Sequence, residues 1–282
     1  MILNIFYLKN PVLKNNMKYL SQEEIKESQL AILDVFVKIC SEHNLQYFLC
    51  GGTLLGAIRH QGFIPWDDDI DVFMPRPDFE KLLKLTLTKP YEIDFYRNGK
   101  GVRPFIKLLD TSIIASEKNT TRSGFLWVDV FPIDGLFENK ILNKYHFKIV
   151  LFLRKGVYFG FRPKTGFIGK ILLFLLNKVK IHPKKVNVFF SLLVDQLSKI
   201  KQYEKSSYVG GIAWGYGPQE RMLRKDMEQA CEVIFEGKKY LAPAIYHQYL
   251  KNLYGNYMEL PPEEKRKSHG LLAWRTLEKE VS

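Results

Sequence analysis

The stretch "GGTLLGAIRHQGFIPWDDDIDVFM", Gly51 to Met74, holds four aspartates within five positions. Side chains along a strand alternate between its two faces. A strand through Ile70 therefore puts Asp69, Asp71 and Phe73 on one face and sends Ile70, Val72 and Met74 into the core. Two aspartates two positions apart stand about 7 Å apart along the backbone. Their carboxylates can converge on hard divalent cations such as Mg2+ or Mn2+, which prefer oxygen ligands. Two such cations about 4 Å apart can bridge the attacking and leaving oxygens of a phosphoryl transfer. Without cations the like charges repel, and one carboxyl tends to hold its proton. A third carboxylate has to come from another strand. "LWVDVFPIDG" offers Asp129, set between Val128 and Val130, an unusual place for an idle charge. Asp134, between Pro132 and Gly135, reads as a turn or cap residue. A calcium loop of the EF-hand kind is excluded, because its invariant glycine and closing glutamate are missing.

These carboxylates need elements to carry them. Ser21 to His43 reads as a helix opened by the capping box Ser21-Gln-Glu-Glu24, with Ile25, Ile32, Phe36 and Ile39 at helical spacing. Leu45–Cys50 reads as a buried strand, Gly51-Gly52 as a sharp turn, and "TLLGAIR" as a short helix opening on Thr53. Ile70–Met74 is the next strand, and Asp78 is positioned to cap a helix running to about Thr86. "RPFIKLLD" and "LWVDVF" supply further strands. Glycines after a strand let backbone amides approach phosphate oxygens, and a helix N-terminus attracts anions. The expected fold is α+β: a mixed sheet with flanking helices, a basic amphipathic helical insert and a C-terminal helical and loop segment.

The 282 residues carry a net charge of +12, with 46% hydrophobic and 26% charged residues. Such a composition excludes global disorder. Three separated cysteines, Cys40, Cys50 and Cys231, give neither a disulfide framework nor a cysteine zinc site, and they suggest intracellular thiols. No run of 18 apolar residues predicts a membrane span. "MILNIFYLKN" lacks the features of a signal peptide, and Met17 could serve as an alternative start. Between Lys140 and Lys205 there are 15 Lys or Arg against Asp195 and Glu204, or +13, so the rest of the chain sums to −1. The expected division is therefore a catalytic core over 1–139, a basic insert over 140–205 and a C-terminal segment over 206–282 that completes the site. Apolar runs of five or six residues, broken by Arg154, Lys155, Lys170 and Lys178, suit helices lying on an anionic membrane surface. A pair of core helices with solvated lysines is the plainer alternative.

"GGTLLGAIRHQGFIPWDDDIDVFMPR" resembles the signature of the LicD family, phosphocholine transferases of bacterial surface glycans. The family includes fukutin-related proteins and belongs to the nucleotidyltransferase superfamily. "ICSEHNLQYFLCGGTLLGAIRH", "FIKLLDT", "WVDVFPIDGL" and "YGNYMELPPEEKRKSH" extend the resemblance over most of the chain. It implies that Asp69 and Asp71 bind metal, that Asp129 is the third catalytic carboxylate, and that Gly51, Gly52 and Thr53 hold the phosphates of the donor nucleotide. The implied donor is a CDP-alcohol, typically CDP-choline. The implied acceptor is a hydroxyl of a teichoic acid, lipopolysaccharide or capsule precursor. The implied location is the cytoplasmic face of the membrane, and no nucleic-acid partner is expected. CDP-ribitol or CDP-glycerol as donor, nucleotidyl transfer, and a non-enzymatic polyanion-binding protein remain alternatives.

Supporting residues keep two readings each. Arg59 and His60 either contact phosphates or fix the "HQGFIPW" turn by hydrogen bonding. Lys107 alternates with apolar neighbours and either points at a phosphate or lies on the surface. Arg266 and His269 either close over substrate or belong to a solvated tail. Trp66 either packs under the site or stacks on a base. Tyr254 and Tyr257 are either core residues or part of a cation–π cage.

Overall fold

The computed structural model describes residues 17–117, 123–158, 178, 182–266, 268 and 270–276. His269 lies outside these residues. Strand β1 (Met17–Tyr19) leads into helix α1 (Gln22–Glu42). The capping box forms as the sequence predicts: Glu24 N donates to Ser21 Oγ, and Ser21 N donates to Glu24 Oε2. The apolar stripe of α1, including Ile25, Ile32 and Phe36, is buried in the main core. Each such side chain contributes about 1.5–3 kcal/mol by leaving water.

Next come β2 (Phe48–Leu49), α2 (Gly51–His60), β3 (Asp71–Pro75) and α3 (Arg76–Leu82). Three local expectations change here. The buried run Leu45–Cys50 supplies only a two-residue strand, because only Phe48 and Leu49 pair with β3. Gly51 and Gly52 are the first residues of α2 rather than a turn before it. Asp78 does not cap α3, where Pro75 holds the N-cap position. Its carboxylate accepts from Gln46 N at 3.1 Å and from Lys81 Nζ at 2.8 Å.

Then follow β4 (Tyr91–Asp94), β5 (Ile106–Glu117) and β6 (Ser123–Leu136). After them come α4 (Lys140–Val157), α5 (Pro183–Ser198), β7 (Tyr208–Gly210) and β8 (Met222–Leu223). The chain continues through α6 (Arg224–Met227), a hairpin of β9 (Ala230–Phe235) and β10 (Lys238–Pro243), α7 (Tyr246–Tyr254) and β11 (Leu271–Thr276). The sheet runs β1-β11-β5-β6-β3-β2, with β4 added to β5 and β7–β8 added to the end of β6. Only β3 and β6 pair in parallel among the described residues. The fold is thus α+β with a mixed sheet, as expected.

β6 runs past Pro132 to Leu136, which corrects the reading of Asp134 as a turn residue. Asp134 sits inside the sheet opposite Gly210 and is buried. It takes a bidentate pair from Arg76, with Nε at 2.6 Å and Nη2 at 2.8 Å. Arg76 also reaches Asp195 of α5 at 3.0 Å, and Asp195 accepts from Tyr96 and Lys199. A buried carboxylate survives in such a place because its charge is matched and its lone pairs are filled. The network ties the α4–α5 pair to the sheet. A second small core, with Phe147, Val150, Val194 and Ile212, fills the space beneath the pair. No helix among the described residues is long and apolar enough to cross a membrane.

Candidate active site

The register of four strands aligns four charged residues in one row. Asp71 on β3 lies opposite Asp129 on β6, Asp129 opposite Lys107 on β5, and Lys107 opposite Asp94 on β4. Residues opposite one another in a ladder share a face. The row therefore follows from strand order, not from proximity in sequence.

Asp71 is positioned through its backbone and Asp129 through its carboxylate. Asp71 N donates to Thr53 Oγ1 at 2.8 Å, so Thr53 ties the start of β3 to the first turn of α2. Thr53 is itself buried and positions Asp71 instead of lining the cavity. Asp129 Oδ2 accepts from Trp127 Nε1 at 3.1 Å, while its buried Oδ1 makes no hydrogen bond and faces Lys107 Nζ at 3.4 Å. The Lys107 ammonium also lies 3.4 Å from the centre of the Trp127 ring. Lys107 is thus buried in the row, not a surface lysine.

Electrostatics follow from this crowding. Burial lifts the Asp71 carboxyl well above the usual range, and Asp69, Asp129 and Asp67 add to the lift. Burial also raises Asp129, against Lys107 and Arg103, which pull it down. Buried carboxyls raised in this way call for a countercharge.

These residues open onto a cavity of about 400 Å³. Gly51, Gly52, Asp67, Asp69 and Asp71 line it together, and Lys107, Trp127 and Asp129 form adjoining wall. Gly51 has φ +53°, and a Cβ there would stand 3.3 Å from Asp71 Oδ2 and 3.4 Å from the Tyr216 hydroxyl. A Cβ on Gly52 would stand 2.6 Å from Asp67 Oδ2. The two glycines thus let a helix N-terminus and a carboxylate cluster share one space. Gly51 N donates to the Tyr249 hydroxyl at 3.3 Å. The following amides, of Gly52 and Thr53, belong to the first turn, whose N–H groups have no partner within the helix.

Divalent metal is compatible with this donor set. Among the described residues no three of His, Cys, Asp or Glu close a metal cage. Mg2+ does not require one, since it is bound through one or two carboxylates together with substrate phosphates and water. Asp129 Oδ1, which has only the Lys107 ammonium at 3.4 Å, and the elevated Asp71 carboxyl are the groups such an ion would complete.

Other predicted residues are placed elsewhere. Arg59 Nη1 donates to the carbonyls of Tyr257 and Glu259, and its Nε donates to His60 Nε2 at 2.9 Å. Neither lines the cavity, so the pair orders the C-terminal loop. Burial, and then Arg59, keeps His60 below the usual histidine range. Arg266 donates to Pro261 O and lies over the Trp66 ring at 5.0 Å, again off the cavity wall. Asp68 does line the cavity, but its Oδ2 accepts from Ser268 Oγ and Leu271 N, anchoring β11. Tyr257 bonds His247 at 2.8 Å and does not line the cavity, so no cage forms from Tyr254 and Tyr257.

Several lining residues were not singled out as site residues in the sequence: Arg103, Phe105, Arg154, Tyr158, Trp214 and Tyr216. For Trp214 and Tyr216 alone there is a sequence signal, the glycine-rich "YVGGIAWGYGPQER", Tyr208 to Arg221. Its folded form explains the glycines. The loop wraps Glu220, which is buried, accepts from Tyr216 N at 3.0 Å, and is touched by a Cβ placed at Gly211 or Gly215. Tyr249 donates to its other oxygen at 3.4 Å. Burial pushes the Glu220 carboxyl up to about 8, against the amides and Arg154. The wrap aims Trp214 and Tyr216 at the cavity.

The comparisons agree with this site. Residues 44–159, which contain the whole charged row, match the LicD/FKTN/FKRP nucleotidyltransferase domain. Over 267 residues the chain is 30% identical to the lipopolysaccharide cholinephosphotransferase LicD of Haemophilus influenzae, covering 90% of this chain and 97% of that protein. An uncharacterised Rickettsia typhi protein is 34% identical over 115 residues, 39% of this chain and 36% of that one. An uncharacterised Rickettsia prowazekii protein is 26% identical over 153 residues, 48% of this chain and 57% of that one. With the carboxylate row, the glycine-led helix and near full-length similarity all in agreement, the chain belongs to the LicD family.

Proposed function

We propose that this protein transfers phosphocholine from CDP-choline to a hydroxyl of a cell-surface glycan and releases CMP. The observation that carries the reading is the Asp71–Asp129 pair beside the N-terminus of α2. The similarity to a lipopolysaccharide cholinephosphotransferase supplies the choline and makes lipopolysaccharide or its precursor the leading acceptor.

Asp69, Asp71 and Asp129 would hold Mg2+ or Mn2+. Bound there, the ion supplies charge neutralisation at the phosphates. The Gly52 amide, at the positive end of α2 and on the cavity wall, orients the donor phosphates. Lys107 adds a fixed positive charge beside Asp129. The acceptor oxygen attacks the phosphorus that bears choline, the bond from that phosphorus to the CMP oxygen breaks, and CMP leaves. Asp129 either completes the metal site or takes the hydroxyl proton. Pre-oriented charge of this kind is the main source of rate in phosphoryl transfer.

The outer face of α4 supports a peripheral location at the inner face of the cytoplasmic membrane. Ile141, Leu142, Tyr145, Ile149 and Phe152 follow helical spacing and are exposed, Phe152 to 68%. Exposed Lys140, Lys144, Lys148 and Lys155 interleave with them, and α4 carries no acid. The one acid of α5, Asp195, is buried. An acid-free, apolar and basic face complements an anionic lipid surface.

The test is CMP release from CDP-choline with Mg2+ and a lipopolysaccharide acceptor. Preference for CDP-ribitol or CDP-glycerol would reassign the donor. Pyrophosphate release from a nucleoside triphosphate would make the protein a nucleotidyltransferase, and absence of any turnover would reject the reading.

A further inference from the structure

Two guanidinium groups line the same cavity as the carboxylate row and are not spoken for by the chemistry above. Arg103 precedes β5, and Arg154 lies in the last turn of α4. No carboxylate among the described residues stands within salt-bridge distance of either. Arg103 bonds the Tyr158 hydroxyl, feels Asp129 and Asp94 at longer range, and leaves its buried Nε without a hydrogen-bond partner. Arg154 donates to Gly215 O at 2.8 Å and stacks 4.2 Å from the centre of the Trp214 ring. Its remaining donors have no acceptor in the described hydrogen bonds. Tyr158 and Trp214 stand edge to face at 5.4 Å, so the two arginines flank one aromatic pair.

A guanidinium removed from water without a counterion is costly, and arginine matches planar, multidentate oxyanions. Among the described residues only longer-range charges act on them, Asp129 and Asp94 on Arg103 and Glu220 on Arg154, and both guanidinium groups line the cavity. Along the row, Gly51 stands at the β3 end, and Arg103, which feels both Asp129 and Asp94, lies toward the β4 end. A diester or diphosphate chain that starts at the α2 N-terminus and crosses Asp129 would therefore arrive at the arginines.

We propose that Arg103 and Arg154 form a second oxyanion subsite, which holds a phosphate group of substrate that does not sit at the α2 N-terminus. The inference rests on the phosphotransfer reading and deepens it. The phosphate has two possible sources: the second phosphate of the CDP-alcohol, or a phosphate carried by the acceptor. Arg154 also makes α4 a wall of the site, so the helix whose outer face is apolar and basic contributes directly to substrate binding.

The experiment measures CDP-choline binding by calorimetry with Mg2+ for the wild type, Arg103→Gln, Arg154→Gln and the charge-preserving Arg103→Lys and Arg154→Lys. It also measures KM for native and enzymatically dephosphorylated lipopolysaccharide acceptor. If the donor is the source, Kd for CDP-choline rises about tenfold or more in both Gln variants and less in the Lys variants. If the acceptor is the source, donor Kd is unchanged, KM rises about tenfold for the native acceptor only, and kcat holds. Unchanged Kd and KM in folded Gln variants would overturn the subsite. Equal losses in the Gln and Lys variants would also overturn it, since they would mark a packing role. A wild type that binds no cytidine nucleotide would reject the phosphotransfer reading itself, a different outcome from intact donor binding with silent arginines.

Discussion

Asp71 and Asp129 lie directly opposite each other in the one parallel ladder of the described sheet, with Lys107 next across from Asp129. Two like charges so placed destabilise the fold unless something positive joins them. The site therefore trades stability for function, and substitutions should separate the two.

Asp71→Asn is expected to lower CMP release by on the order of a thousandfold, the scale of losing a preorganised charge. In EDTA the variant should melt above the wild type, because burial and repulsion from Asp69 and Asp129 are relieved. Saturating Mg2+ should raise the wild-type Tm by roughly 5–10 °C at a hundredfold excess over Kd. The variant should gain far less. Scanning fluorimetry with and without metal checks all three, and full activity in the variant would remove Asp71 from the metal set.

Gly52→Ala tests the shared space at the α2 N-terminus. The added Cβ would meet Asp67 Oδ2 at 2.6 Å, so the carboxylate or the first turn of the helix must shift. Displacement by a fraction of an ångström to 1 Å costs about 10–100-fold in rate while leaving most packing intact. Steady-state kinetics should show that loss with only a small change in Tm. Unchanged kcat would mean that the amide of Gly52 touches no phosphate.

Glu220 makes stability depend on pH. Its folded carboxyl is raised to about 8 from the ordinary 4.5, so the native state holds this proton more tightly than the unfolded chain. Its contribution is complete below the unfolded value and is lost as pH rises through that window toward 8. At about 1.4 kcal/mol per unit, half of the shift amounts to about 2 kcal/mol. Glu220→Gln should therefore gain stability relative to the wild type between pH 5 and pH 8, read as a widening Tm difference. A difference that stays constant over that range would show that Glu220 is ionised when folded.

The outer face of α4 should bind anionic vesicles. Co-sedimentation is expected with phosphatidylglycerol-containing vesicles, and not with pure phosphatidylcholine or at high salt. The double variant Ile149→Glu with Phe152→Glu should abolish it and leave CMP release with a soluble acceptor intact, since both side chains are exposed on α4 away from the cavity. Wild-type protein that stays in the supernatant with anionic vesicles would count against a membrane surface. Self-association of the wild type, lost in the variant, would instead assign the face to a second copy.

Much of the site was legible because its signals are local. Asp69 and Asp71 both line the cavity, although β3 begins only at Asp71 and Asp69 stands in the lead-in to it, Gly51 and Gly52 stand at a strand-to-helix junction, and Ser21 and Glu24 cap α1 within one turn. Asp134 was misread because a proline and a glycine on either side carry turn preferences, which sheet pairing to Gly210 overrode. Arg59 carries a charge suited to phosphate, but its partners are carbonyls about two hundred residues away in sequence, which no local pattern reveals.

Sequence alone determined residue chemistry and local period: which aspartates alternate with apolar neighbours, where glycine lets backbone come close, and that the net positive charge is confined to 140–205. Tertiary structure decided which of these groups meet. The Asp94–Lys107–Asp129–Asp71 row exists only through the order and register of β4, β5, β6 and β3. Arg154 and Trp214 reach the same cavity only because α4 and the glycine-rich loop fold over that row. Side-chain period is a property of a single element, whereas register and docking depend on packing between elements distant in the chain.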